Sequence, residues 1–83
     1  MRNVDVIRAF LQGNSAKTTN LRTNGIELIN YQTRIGYKKD GHLYINKDRY
    51  SVTTSKIQGK LKAECSLAGR EYEEVTESEI YKL

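Results

Sequence analysis

Between Leu21 and Val52 the chain alternates apolar and polar residues and is punctuated by Asn24-Gly25 and Asp40-Gly41. That pattern belongs to short antiparallel strands joined by tight turns, and few other folds accommodate it. A two-residue loop at Asn24-Gly25 pairs Thr23 with Ile26 and Leu21 with Leu28, which gathers apolar side chains on one face. Farther on, Ile29, Tyr31, Thr33, Ile35 and Tyr37 are expected on one face of a strand, with Asn30, Gln32, Arg34 and Lys38 on the other. The change of parity between Leu28 and Ile29 demands a bulge or a break. The same parity test favours a three-residue loop, Lys39-Asp40-Gly41, which pairs Tyr37 with Leu43 and Ile35 with Ile45. A turn at Lys47-Asp48 then pairs Ile45 with Tyr50 and Leu43 with Val52, continuing the meander.

Helical periodicity brackets this region. Val4, Val6, Ile7, Phe10 and Leu11 form the apolar stripe of a helix over residues 4 to 12, with Asn3 as its N-cap and Gly13 as its stop. Residues 14 to 20 read as a polar linker. A second helix is expected from Thr53 to Gly69, with Ile57, Leu61, Cys65 and Ala68 on its inner stripe and Ser51, Thr53, Thr54 and Ser55 offering cap oxygens. Gly59 weakens its interior. Thr76 and Glu79 have capping-box spacing, with Val75 and Ile80 placed as a staple, so the acidic segment 70 to 83 ends in a short helix or contributes a strand at residues 71 to 76. The expected fold is α+β: an antiparallel meander of three to five strands with both helices on one face. Phe10, Ile35, Ile45, Tyr50, Ile57 and Leu61 share its core. With 83 residues the chain is expected to form one domain, residues 1 to 83.

No apolar run approaches the roughly 20 residues that span a bilayer, and Cys65 has no second cysteine to pair with, so no membrane and a reducing cytoplasm are expected. Catalysis finds few candidates. His42 stands alone beside a turn glycine, and Cys65 lies on the inner stripe of the second helix, where a thiol is inert. Gly13 to Thr18 lacks the glycine that precedes the lysine of a phosphate loop and follows a helix, not a strand. The expectation is a non-enzymatic chain with no cofactor and no metal.

Charge is the more informative property. Residues 1 to 63 carry 12 Lys and Arg against 4 Asp and Glu, a net +8, whereas residues 64 to 83 carry 2 against 6, a net −4. The two parts either neutralise each other within the fold or serve charged partners. Arg34, Lys38, Lys39, Tyr44, Lys47, Arg49, Lys56 and Lys60 are the candidate partner-binding residues. Arg34, Lys38 and Tyr44 are expected on the open sheet face, where cations follow phosphates and a ring stacks on a base. Glu71, Glu73, Glu74, Glu77 and Glu79 form a candidate acidic surface. Such a run is ordinarily a solvated face, and it can also imitate phosphates on a nucleic-acid-binding target.

The strings Ile29-Asn30-Tyr31-Gln32-Thr33-Arg34-Ile35, Leu43-Tyr44-Ile45-Asn46 and Tyr50-Ser51-Val52-Thr53-Thr54-Ser55-Lys56-Ile57-Gln58 resemble the core of small proteins encoded by phages and mobile elements of Gram-positive bacteria. The resemblance covers about a third of the chain and brings no catalytic residue or cofactor. It implies a setting in the bacterial host cell, where such accessory proteins regulate or inhibit host proteins and nucleoprotein complexes, anti-CRISPR and other anti-defence inhibitors among them. Direct binding of nucleic acid through a basic sheet face is the alternative.

Overall fold

A computed structural model describes all 83 residues. The elements run α1 (Asn3–Gln12), β1 (Ser15–Lys17), β2 (Leu21–Asn24), β3 (Glu27–Asn30), β4 (Thr33–Lys39), β5 (His42–Asn46), α2 (Val52–Leu67), β6 (Glu73–Val75) and α3 (Glu77–Lys82). The fold is α+β, with one six-stranded sheet in the order β1-β2-β3-β4-β5-β6. Strands β1 to β5 are antiparallel neighbours, and β6 joins β5 in parallel. The sheet is therefore mixed and has more strands than the expected three to five.

A β-bulge in β4 governs which side chains face inward. Leu28 pairs with Gly36 and Ile29 with Arg34, so Ile35 is an extra residue without a partner. A bulge sends its two adjacent side chains to the same side, and both Ile35 and Gly36 are buried. Ile29 and Arg34 consequently face outward as a cross-strand pair. The break expected near Leu28 and Ile29 is real, but the extra residue sits across from it on the next strand. The expected single strand through residues 29 to 37 is also two strands, because the chain turns at Tyr31-Gln32 with Tyr31 at φ 56°.

This bulge also overturns the expected loop before β5. Parity beyond it places Gly36 opposite Ile45, Lys38 opposite Leu43 and Tyr37 opposite Tyr44. The connection is then the two-residue Asp40-Gly41 with φ 52° and 80°, as a type I′ turn requires. The first hairpin is shifted by one residue: Thr23 pairs with Leu28 and Leu21 with Asn30, so Gly25-Ile26 forms the loop. Only Gly25 takes a positive φ there, at 92°, which suits a turn with glycine in its first central position. Both registers keep Leu21 and Leu28 on one face, so the apolar pattern could not separate them.

The core lies between one sheet face and the helices α1 and α2. Val6, Ile7, Phe10, Leu21, Leu28, Ile35, Leu43, Ile45, Ile57, Leu61 and Cys65 form it, with Leu11 and Ala16 packed at its edge. α1 begins one residue earlier than expected: Arg2 is the cap, its backbone N–H donating to the Asp5 carboxylate at 2.9 Å, while Asn3 accepts from the Thr18 hydroxyl at 2.8 Å. Ser51 caps α2 by accepting from the Thr54 N–H. Ala68 lies beyond the end of α2 and is exposed, so it leaves the inner stripe. Residues 14 to 20 are not wholly a linker, since Ser15–Lys17 is the edge strand β1.

After β5 the meander stops. Residues 47 to 51 form no strand, and Tyr50 is outside the core, its hydroxyl accepting from the Asn46 side-chain amide at 2.9 Å. The Gln58 amide donates to the carbonyls of Asn46 and Asp48 at 2.8 and 3.0 Å, lashing this loop to α2. These side-chain bonds satisfy the end of β5, and α2 carries the chain back to add β6. The Thr76–Glu79 capping box and the buried pair Val75 and Ile80 are present as read. α3 lies against β4 and β5 on the face opposite α1 and α2, with Ile80 buried outside the main core.

Two glycines separate packing from propensity. A Cβ on Gly36 would lie 3.0 Å from Phe10 Cε2 and 3.3 Å from Leu28 Cβ, whereas one on Gly59 would meet nothing within 4 Å. Gly36→Ala should destabilise by about 1 to 3 kcal/mol, and Gly59→Ala should stabilise by roughly 0.5 to 1 kcal/mol. Urea denaturation of the two variants checks both signs. The Glu79 carboxyl is held below its ordinary range, first by the Thr76 backbone N–H and then by the Thr76 hydroxyl. Its contribution is present above the unfolded carboxyl pKa of about 4.3 and disappears as pH falls through the lower folded value. Glu79→Gln should therefore reduce the loss of stability on acidification, measured by denaturation between neutral and acid pH.

Candidate charged interaction surfaces

The eight candidate partner-binding residues do not share a surface. Arg34 faces outward as expected but is enclosed. Its guanidinium lies 4.3 Å from the ring centroid of Tyr37 and 5.1 Å from that of Tyr81. It donates to the Ile80 carbonyl at 3.1 Å and to the Glu27 carboxylate at 3.3 Å. Its backbone N–H donates to the Tyr81 hydroxyl, which in turn donates to the Gln32 carbonyl. Planar stacking combined with forked hydrogen bonding suits guanidinium and not an ammonium group. Arg34 is thus the clasp that holds α3 to the sheet.

Lys38 lies on the helix-covered face, contrary to expectation, because the bulge shifts parity by one. Its ammonium donates to the carbonyls of Phe10 and Gly25 and sits 4.8 Å from the Phe10 ring centroid. There it satisfies the C-terminal end of α1, where a cation is favoured. Burial, followed by the nearby Arg70 charge, lowers its pKa. Lys39 reaches the carbonyl of Leu83 at 3.1 Å. Tyr44 is half-buried opposite Tyr37. The basic sheet face expected from Arg34, Lys38 and Tyr44 is accordingly not assembled.

Lys47, Arg49, Lys56 and Lys60 are different. All four are exposed, and none has a carboxylate within 4 Å. Lys47 and Arg49 project from the loop that Gln58 ties to α2, and Lys56 and Lys60 are one turn apart on that helix. The four cations therefore belong to one braced unit.

The acidic residues divide as well. Glu74 pairs with Lys62 at 2.6 Å, and Glu79 is spent on its cap. Glu77 begins α3, its N–H donating to the Asp48 carboxylate. Glu71 and Glu73 remain exposed and without ion pairs, lining a depression of about 300 Å³ with His42, Tyr44 and Tyr72. Only two ion pairs join the basic body to the acidic tail, Arg8–Glu64 at 2.7 Å and Lys62–Glu74. Mutual neutralisation is consequently incomplete.

His42 is exposed beside Gly41, and Cys65 is in the core with its thiol pushed up by burial. The sequence reading passed over Lys17 and Arg22, two exposed cations directly opposite each other on β1 and β2. Reading residues 14 to 20 as a linker left Lys17 without a face. The alternation Leu21-Arg22-Thr23 was the available signal for Arg22.

Arg34→Lys keeps the charge but loses the stack and the fork. It should destabilise by about 1 to 3 kcal/mol, with hydrogen-exchange protection lost first across Glu77–Lys82; protection there equal to that of wild type would remove the clasp. Comparisons of this chain with protein-family models, with curated proteins and with solved structures find no match.

Proposed function

We propose that the chain is a non-enzymatic phage accessory protein that binds and inhibits a host protein, most concretely a nucleoprotein defence complex of the CRISPR type. The setting rests on the resemblance of residues 29 to 58 to phage and mobile-element proteins. The observation that carries the binding mode is the braced group Lys47, Arg49, Lys56 and Lys60, exposed and free of ion pairs. The backbone that carries these cations, a helix and its tethered entry loop, loses little further freedom on docking, and their common charge steers approach to an acidic protein surface. Glu71 and Glu73 supply opposite charge on the sheet edge, which discriminates among partners by repulsion.

Expression of the chain in cells with an active CRISPR-type defence should restore plating of a sensitive phage. A variant with Lys47, Arg49, Lys56 and Lys60 all changed to Gln should keep its fold and slow association with the purified complex by about tenfold or more. Plating that stays restricted in every defended strain, with folded chain accumulating, rejects the proposal.

A further inference from the structure

Half of the outer sheet face is uncovered. α3 shields β4 and β5, but over β1, β2 and β3 a shallow depression of about 500 Å³ is lined by Ser15, Lys17, Arg22, Asn24, Glu27 and Ile29. Cross-strand register places Lys17, Arg22, Ile29 and Arg34 in one row across four strands. Glu27, the single acid in the depression, is engaged by Arg34 at 3.3 Å. Lys17 and Arg22 are therefore directly opposed like charges with no carboxylate within 4 Å of either, an arrangement that costs stability in a bare sheet. A bound anion turns that cost into attraction.

Two further observations specify the anion. In that row Ile29 lies between Arg22 and Arg34, with the aliphatic stem of Arg22 beside it, so the surface next to the cations is apolar. Arg22 donates to the Tyr31 carbonyl at 2.9 Å, which fixes the guanidinium beside the hairpin end. At that end Tyr31 is 60% exposed with φ 56°, a conformation unfavourable for a bulky residue that glycine or asparagine would relieve. An exposed ring at the hairpin end that Arg22 reaches, beyond the depression that holds both cations and Ile29, matches a ligand that alternates phosphates with flat bases.

The geometry points to this open half-face as a binding site for single-stranded nucleic acid, with phosphate contacts at Lys17 and Arg22, a base over Ile29 and a neighbouring base on Tyr31. The site is separate from the docking group on α2 and does not depend on it.

Anisotropy of a fluorescein-labelled 12-nucleotide DNA or RNA strand, titrated with the full chain at low salt, tests this. K17Q/R22Q should weaken binding and make the slope of log affinity against log salt shallower by about 1.4, at roughly 0.7 per phosphate contact. Y31N removes the ring while relieving the backbone. It should weaken binding roughly 5- to 150-fold with thermal stability unchanged or raised, a combination that a purely structural role for Tyr31 cannot give. R2Q/K62Q removes two cations that already have carboxylate partners and should leave the salt slope close to that of wild type. No strand binding by the folded wild type overturns the inference. So does equal loss in R2Q/K62Q and K17Q/R22Q, or inorganic phosphate competing as effectively as an unlabelled strand. Plating in defended cells, scored in parallel, identifies which of the two readings fails.

Discussion

The Phe10 ring of α1 packs onto the bare backbone of Gly36, and much of the molecule follows from how that contact is made. The ring fits because β4 offers bare backbone at that point. The backbone is presented inward because Ile35 is an extra residue in the ladder. One inserted residue thus gives the core both an isoleucine and a recess. It also rotates everything beyond it, sending Lys38 under α1 and Tyr37 out beneath α3. Removing the bulge would expose Ile35 or bury Arg34, and either change costs more than the ladder bond it would regain.

Cations in this fold serve very different purposes according to what lies beside them. Lys38 surrenders part of its hydration to hold two carbonyls, and Arg34 is shared between two rings and a carboxylate. Such desolvated, fully bonded charges contribute rigidity and are removed from the surface available to partners. Lys47, Arg49, Lys56 and Lys60 keep their water and their field. A net charge of +4 therefore understates the contrast between spent and free cations. Buried polar groups follow the same economy: Asn20, Asn30 and Thr54 form a chain of side-chain hydrogen bonds from the first hairpin to the start of α2, and no buried side-chain polar atom is unpartnered.

Much of the fold was legible in the sequence. α1, the core stripe of α2 and the capping box of α3 follow from periodicity and local chemistry, which act over a few residues. Strand register was harder, since one unseen bulge at Ile35 inverted the inference for Tyr37, Lys38 and the Asp40 turn together. The Tyr31 turn was hidden because a tyrosine at positive φ violates the turn chemistry that makes Asn-Gly and Asp-Gly visible. The parallel partner of β5 depends on where α2 delivers the chain, which no local pattern encodes. For the candidate surfaces the result is similar: residue types identified the cations, but only the pleat and the packing of α3 divide those that clasp from those that are free.

Strand β6 has a consequence for the order in which the protein assembles. Every other neighbouring pair of strands is joined by a short turn, so those contacts are local and form quickly. β5 pairs with β6 only after the whole of α2 has intervened, and α3 is seated only once β6 is in place. A ribosome therefore releases the hairpins first, with the β5 edge open and the outer face of β4 and β5 bare. During that interval the chain presents an adhesive strand edge, and the acidic segment that closes it arrives carrying charges that repel other copies of itself.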